Sequence, residues 1–225
     1  MIFQNGWFPI GVVMAAWPVL LVIFALCAKQ AWVSVSQHRS AFLVAAVVLP
    51  LAWSLNASPE SGQLAGMSYH LLALNLTALM LGTSAAFCLG VLLFFPYLWL
   101  WGDWHMFPIN ALSVLLPPLL VNLGFLHWVS RLPANIFIFI FLNGFWAAAV
   151  GMVFTGVVLV GLLDWVDVFD TAVLWRTAFP VFFLIAWAEA FLSGISTAIF
   201  IALKPQWICT FDDDRYLKSA PKIWQ

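Results

Sequence analysis

Two short stretches of this sequence bring together side chains that bind transition metals. They read Gly66-Met-Ser-Tyr-His70 and Gly102-Asp-Trp-His-Met106. Imidazole, carboxylate and thioether groups are metal ligands, and thioethers shift the preference towards soft ions such as Cu(I). The candidate ligands, with the best first, are His70, His105, Asp103, Met67 and Met1. A structural interpretation stays open, in which His70 bonds a neighbouring helix and His105 is solvated.

A second chemical feature is Glu189, the only formally charged residue placed well inside an apolar segment. An ionised acid at the middle of a bilayer costs roughly 2.5–3.5 kcal/mol, so it needs a proton, a polar partner or a cation. We expect either a structural role, with Glu189 protonated and bonded to an asparagine, or a role in transport or proton relay. Asparagines within or beside the apolar segments supply such partners: Asn75, Asn110, Asn122, Asn135 and Asn143.

The composition fixes the class of protein that holds these residues. The chain is 65% hydrophobic and 8% charged, with a mean hydropathy of +1.05, whereas soluble domains carry about 25% charged residues. The apolar segments are long and continuous, which predicts an all-α polytopic integral membrane protein rather than an outer-membrane barrel. A net charge of −1 offers no basic patch for phosphates, so nucleic-acid binding is excluded.

Seven apolar segments approach the length of about 20 residues that a spanning helix needs. They are Trp7 to Ala28, Ser40 to Asn56, Gly66 to Leu81, Ser84 to Trp101, Phe107 to Val129, Pro133 to Leu163 and Val173 to Leu203. The third and fourth are short and joined only by three residues, which fits a tight hairpin or an incompletely spanning pair. In the last two segments, Gly151, Gly156 and Gly194 predict close helix approach.

The charged residues set the predicted orientation, since basic residues concentrate in cytoplasmic loops. With seven spans, all basic residues but Arg176 fall on the C-terminal side of the membrane, and most acidic residues fall on the other. We therefore predict an external N-terminus and a cytoplasmic C-terminus in the plasma (inner) membrane. The first apolar segment lacks a basic leader and a clear cleavage site, so we do not interpret it as a signal peptide. Residues 1–208 form one transmembrane domain, followed by a cytoplasmic tail at 209–225.

Catalytic motifs are missing from the sequence. It contains no G-x-x-x-x-G-K-[ST], no H-E-x-x-H and no G-x-S-x-G, so no P-loop is present for ATP hydrolysis. We predict a non-enzymatic protein without a covalently bound cofactor, for which a transition-metal ion is the substrate.

Several of these stretches resemble one known family. The likeness lies in Gly66-Met-Ser-Tyr-His70, in Asn110-Ala-Leu, and in Glu189-Ala-Phe-Leu-Ser-Gly194 followed by Lys204-Pro-Gln-Trp. These stretches resemble the CbiM/NikM-type membrane component of cobalt and nickel energy-coupling-factor transporters. The ending Thr210-Phe-Asp-Asp-Asp-Arg-Tyr-Leu217 is similar to a divergent branch of that superfamily. The resemblance implies an outward-facing metal-capturing subunit that works with a second membrane coupling component and cytoplasmic ATPases.

The resemblance also implies a ligand set, from which this chain departs. Family members bind metal with the N-terminal amine, a histidine at the second position and a histidine that matches His70. Here the second residue is Ile2. Either this branch binds another metal through His70 and His105, or it has lost metal capture.

We therefore weigh three hypotheses. The first is a substrate-capturing subunit of a transition-metal transporter. The second is a membrane scaffold or assembly factor with a structural polar interior, whose acidic tail recruits a partner. The third, an intramembrane enzyme that uses Glu189 as acid or base, has the least support.

Overall fold

The computed structural model describes residues 2–57 and 69–216, and this part of the chain is a bundle of helices. The helices are α1 (Ile10–Gln37), α2 (Arg39–Ser54), α3 (Leu74–Leu81), α4 (Thr83–Trp101), α5 (Phe107–Val129), α6 (Ile136–Trp165), α7 (Thr171–Leu203) and α8 (Asp213–Tyr216). Two short strands, β1 (Asn56–Ala57) and β2 (Tyr69–His70), pair antiparallel with Asn56 opposite His70. Turns of 3₁₀ helix cover Trp104–Met106 and Pro205–Trp207. The prediction of an all-α membrane bundle is confirmed.

Five of the helices are long and apolar enough to cross a bilayer: α1, α4, α5, α6 and α7. The other two predicted segments also form helices, but α2 has 16 residues and α3 has eight. At 1.5 Å per residue, α3 is about 12 Å long, well short of a hydrocarbon core of about 30 Å. The third predicted segment is thus an incompletely spanning helix over its described part, and Gly66 to Ser68 lie outside the described residues. The orientation of the termini stays a prediction.

The short helix α3 lies in the middle of the bundle. All eight of its residues are buried, and it packs against α2, α4, α5, α6 and α7. An eight-residue helix is too short to be stable by itself. Its stability must therefore come from the neighbouring helices and from partners for its end groups.

Three glycines let the helices of the second half approach closely, as the sequence predicted. A Cβ atom at Gly156 would lie 2.5 Å from Cγ of Phe182, and one at Gly151 would lie 3.2 Å from Cα of Pro118. Gly194 faces the start of α6, where a Cβ atom at Gly144 would lie 3.3 Å from the Cα of Gly194. Side chains at these positions would force α5, α6 and α7 apart.

Two of the long helices contain π-helical segments, at Phe139–Trp146 in α6 and at Leu174–Ala178 in α7. Such a segment shifts the backbone hydrogen bonds from i→i−4 to i→i−5 and is frequent at functional sites. In α6 the segment includes Asn143 and Gly144, whose carbonyl oxygens receive hydrogen bonds from Asn75 of α3. The π segment of α6 thus presents backbone acceptors to the centre of the bundle.

The described part of the C-terminal tail packs onto the bundle. Ile208 and Phe211 are buried, and the Phe211 ring meets Phe139 edge-on at 5.1 Å between centroids. Arg215 donates from Nη2 to the carbonyl oxygen of Ser130, at 2.7 Å. Residues 208–216 therefore form a docked segment. The division at residue 208 and the cytoplasmic location of the tail stay predictions.

Candidate metal-binding site

His70 ends strand β2, and its imidazole is buried with an exposed fraction of 2%. Its Nδ1 lies 3.0 Å from the carbonyl oxygen of Leu71. Because a carbonyl oxygen only accepts hydrogen bonds, Nδ1 carries a proton, and in the neutral imidazole Nε2 then holds a lone pair. Nε2 has no hydrogen-bond partner among the described residues. This tautomer is the form of imidazole that binds metal ions, through a nitrogen that holds a lone pair.

Aromatic side chains hold the His70 segment from the side of α2 and α4. The ring of Tyr97 meets the imidazole edge-on, with 5.7 Å between centroids, and its hydroxyl donates to the carbonyl oxygen of Trp53 at 3.2 Å. The indole Nε1 of Trp53 donates to the carbonyl oxygen of Leu72 at 3.1 Å. The backbone that follows His70 is thus fixed by a buried tryptophan, which the sequence analysis did not single out.

Glu189 approaches the same backbone from α7. Its buried carboxyl group accepts hydrogen bonds from the backbone N–H of Leu72 and from that of Ala73, the latter at 3.0 Å to Oε1 and 3.3 Å to Oε2. Ala73 precedes α3 and has a φ of +54°, so Glu189 caps the N-terminal end of this helix, where negative charge is favourable. The expected asparagine partner is therefore wrong, because the groups that Glu189 bonds are backbone amides.

The opposite end of α3 is satisfied by the docked C-terminal segment. The N–H of Cys209 donates to the carbonyl oxygen of Met80 at 3.3 Å. Thr210 donates to the carbonyl oxygen of Leu79 from its N–H at 3.3 Å and from its Oγ1 at 3.0 Å. The Ser34 hydroxyl of α1 donates to the carbonyl oxygen of Leu81. Carbonyl groups that a helix end leaves unpaired are thus paired here by other segments.

Asn75 connects α3 to three other helices. Its Nδ2 donates to the carbonyl oxygen of Asn143 at 2.9 Å and to Oγ of Ser193 at 2.8 Å. Its Oδ1 accepts from Nδ2 of Asn122 in α5, also at 2.8 Å. All four residues are buried, and the side chains of Asn75 and Asn122 link α3 to its neighbouring helices. Asn143 keeps one carboxamide oxygen, Oδ1, without a hydrogen bond to any described residue.

The start of the chain is drawn into the bundle by Asn110. Oδ1 of Asn110 accepts from the N–H of Phe3 at 2.7 Å, and Nδ2 donates to the carbonyl oxygen of Phe3 at 3.2 Å. Ile2, Phe3 and Asn110 are all buried. Asn110 therefore pairs with the backbone of Phe3 as a strand would. The candidate ligand Met1 lies outside the described residues.

Asp103 and His105 bond each other near the surface. The Nδ1 of His105 lies 2.8 Å from Oδ1 of Asp103, and the side chains are 60% and 23% exposed, respectively. The Trp104 ring covers the imidazole at 4.0 Å between centroids. His70 instead contacts Leu71 and Tyr97. The two histidines therefore have no contacting residue in common among these. The candidate Met67 lies outside the described residues, and residues 2–57 and 69–216 contain no group of three or more His, Cys, Asp or Glu placed to hold a metal.

A cavity of about 610 Å³ opens beside the C-terminal end of α3. Leu81, Gly82 and Thr83 line it together with polar side chains of α1 and the thiol-bearing Cys209. His70 and Glu189 do not line this cavity. His70 is thus a candidate metal ligand because of its buried, unpaired Nε2, and the cavity plays no part in that assignment.

Comparisons with known proteins agree on one class. The family model described as the cobalt uptake substrate-specific transmembrane region matches residues 3–207. The fold is similar to a crystal structure of a truncated transition metal transporter, with a TM-score of 0.71 and 15% identity over 91% of this chain and 99% of that chain. No curated protein matches the sequence. The resemblance drawn from the short motifs is confirmed.

Proposed function

Because the chain belongs to the family of cobalt uptake substrate-specific transmembrane regions, we propose that it captures a cobalt- or nickel-like ion for transport. The observation that carries this proposal is the open Nε2 of His70. This nitrogen is buried, holds a lone pair and is fixed in direction by the hydrogen bond between Nδ1 and Leu71. Leaving a buried acceptor unpaired costs about 1–3 kcal/mol. A bound ion would relieve that cost.

We propose that the remaining ligands come from the start of the chain and from the stretch just before β2. Ile2 offers no imidazole, so this chain holds its ion with fewer histidines than its relatives. We propose that Met1 and Met67 contribute further donor atoms, with Asn110 anchoring the first residues in the bundle. A ligand set with thioethers favours softer ions than one built on histidines.

Asp103 and His105 are proposed as outer helpers. His105 is exposed, Asp103 is partly exposed, and the two side chains are bonded to each other. We propose that this carboxylate and imidazole attract an ion at the surface of the protein. Exposed charges attract ions only weakly at physiological ionic strength. Their contribution to affinity is therefore smaller than that of His70.

The wider assembly is proposed from the family. We propose that the protein is a non-enzymatic subunit of an energy-coupling-factor transporter in the inner (plasma) membrane. ATP hydrolysis would come from cytoplasmic ATPases, which act through a second membrane coupling component. Affinity purification of the full chain from its native membrane, with mass spectrometry of co-purified proteins, tests this assembly.

The experiment that tests metal capture compares two histidine variants. Wild-type protein purified without chelators should contain a transition metal by elemental analysis and bind Co²⁺ or Ni²⁺ in calorimetry. His70→Ala should lose more than the roughly 10- to 100-fold that outer-shell changes cost. His38→Ala is the matched control, because His38 bonds Ser34 at the end of α1. Metal-free wild-type protein with unchanged complex formation would support the scaffold hypothesis instead.

A further inference from the structure

We propose that Glu189 is a positioning residue that acts on His70 through the peptide group between Leu71 and Leu72. This inference rests on the proposed function, because it concerns how the captured ion's ligand is prepared. The carbonyl oxygen of that peptide group accepts from Nδ1 of His70 at 3.0 Å. Its N–H donates to the carboxyl group of Glu189. One planar peptide unit therefore connects the carboxyl group to the imidazole.

The physical effect is a relay of polarisation. Hydrogen bonds in a chain strengthen one another by about 10–30% in condensed phase. An acceptor on the N–H side makes the peptide carbonyl a better acceptor for Nδ1, and this makes Nε2 more electron-rich. Metal-binding histidines commonly donate their second N–H to a carboxylate or a carbonyl, which fixes the ring and raises its basicity. Here the carbonyl oxygen of Leu71 accepts from the imidazole, and the carboxyl group of Glu189 accepts from the N–H of the same peptide group.

The same carboxyl group also fixes the backbone in space. Ala73, the second amide that Glu189 holds, has a φ of +54°, a conformation that costs about 1–2 kcal/mol for a residue with a Cβ. Trp53 holds the carbonyl oxygen of Leu72 from the opposite side. The backbone after His70 is thus clamped between α2 and α7, so the direction of the imidazole depends on Glu189.

A purely structural role for Glu189 makes a different prediction, and α7 supplies the control. Ser193 lies one turn further along α7 and also bonds α3, through Nδ2 of Asn75 at 2.8 Å. Ser193 makes no hydrogen bond to the backbone at 70–73 within the described chain. Ser193→Ala therefore weakens the packing of α3 on α7 without touching the peptide group beside His70.

The test uses the full chain in detergent. Glu189→Gln keeps the shape but replaces Oε2 by an NH₂ group that cannot accept from the Ala73 N–H, which leaves a single neutral amide oxygen for the N–H groups of Leu72 and Ala73. Calorimetry with Co²⁺ should show a loss of affinity of about 10- to 100-fold, and the visible absorption spectrum of bound Co²⁺ should change. Ser193→Ala should keep its Co²⁺ spectrum and an affinity within about 3-fold of wild type, the spread of a distant change.

A second measurement tests the same positioning role without any metal. Nitrogen NMR of ¹⁵N-histidine-labelled, metal-free protein should show the Nδ1–H tautomer of His70 in the wild type and a shifted His70 signal in Glu189→Gln. If wild-type protein binds no Co²⁺ but the signal shifts, metal capture fails while the positioning role of Glu189 stands. Wild-type affinity, Co²⁺ spectrum and NMR signal in Glu189→Gln would overturn the positioning role alone. If that variant does not fold, Glu189→Asp applies the same criteria, because its carboxyl group is one methylene further from the amides.

Discussion

The two ends of α3 both leave backbone groups without partners inside the helix, and different kinds of group satisfy them. At the N-terminal end, Glu189 satisfies the backbone N–H groups, and this end adjoins His70 with its open Nε2. At the C-terminal end, the carbonyl oxygens of Leu79 and Met80 are satisfied by the backbone and hydroxyl groups of residues 209–210. An ionisable side chain is used only beside the proposed site. Changes to Glu189, which bonds the peptide group beside His70, should therefore alter metal affinity, whereas changes at the C-terminal end of α3 should alter stability alone.

The largest expected effect comes from Asn75, the second residue of α3, which links this helix to α5, α6 and α7. Asn75→Leu would leave Nδ2 of Asn122 and Oγ of Ser193 without their partner. Each unpaired buried group costs about 1–3 kcal/mol, so the free energy of unfolding should fall by several kcal/mol. Thermal unfolding followed by circular dichroism measures this loss. Asn135→Ala, which removes only an exposed helix cap, is the control and should cost about 1 kcal/mol.

A second prediction concerns Cys209 at the C-terminal end. Burial raises the pKa of this thiol to about 11, because it penalises the thiolate. Only the thiolate reacts with iodoacetamide, so alkylation at pH 8 should be about 100-fold slower than for a free cysteine and should accelerate up to about pH 11. A variant in which Cys27 and Cys88 are replaced by alanine isolates the rate of Cys209. A rate equal to that of a free cysteine would mean that residues 208–216 are not docked.

Thr210, at the C-terminal end of α3, allows a test of whether this end affects stability without affecting metal binding. Thr210→Val removes the hydroxyl donor to Leu79 and keeps the backbone donor. The loss should lower the free energy of unfolding by about 1 kcal/mol and leave the affinity for Co²⁺ unchanged in calorimetry. A loss of affinity as large as that of Glu189→Gln would show that the two ends of α3 are not functionally distinct.

The smallest effect is expected at the surface pair of Asp103 and His105. Asp103→Asn removes a charge that is partly exposed and only 2.8 Å from the imidazole of His105. Exposed ion pairs contribute about 0–1 kcal/mol, so the affinity for Co²⁺ should fall by less than about 5-fold, and less at high salt. A loss comparable to that of His70→Ala would make Asp103 a direct ligand.

The sequence predicted the class of fold and the residues of interest better than it predicted their partners. Glu189 stood out because charge is rare in apolar segments, and His70 stood out through a short motif. The bonds from Glu189 to the backbone of residues 72–73 cross more than 100 positions. Backbone donors are the same in every residue, so such bonds leave no trace in the residue types. Trp53 was missed because a chain with 14 tryptophans gives no reason to select one.

The length of α3 was also hidden from the sequence. Gly66 to Leu81 is apolar throughout most of its length, and hydropathy does not register the turn at Ala73, where φ is positive. His70 and His105 were grouped as candidate ligands by their residue type alone. Residue type does not specify which segments are neighbours, and in the structure Asp103 and Trp104 are the partners of His105.

The central claim is that Nε2 of His70 binds the transported ion. X-ray absorption fine structure of Co²⁺-loaded protein tests it directly, because outer-shell scattering from an imidazole ring is distinctive. The wild type should show imidazole scattering, and His70→Ala should lose it while His105→Ala keeps it. Imidazole scattering of unchanged amplitude in His70→Ala would place the ion on a different histidine and contradict the account.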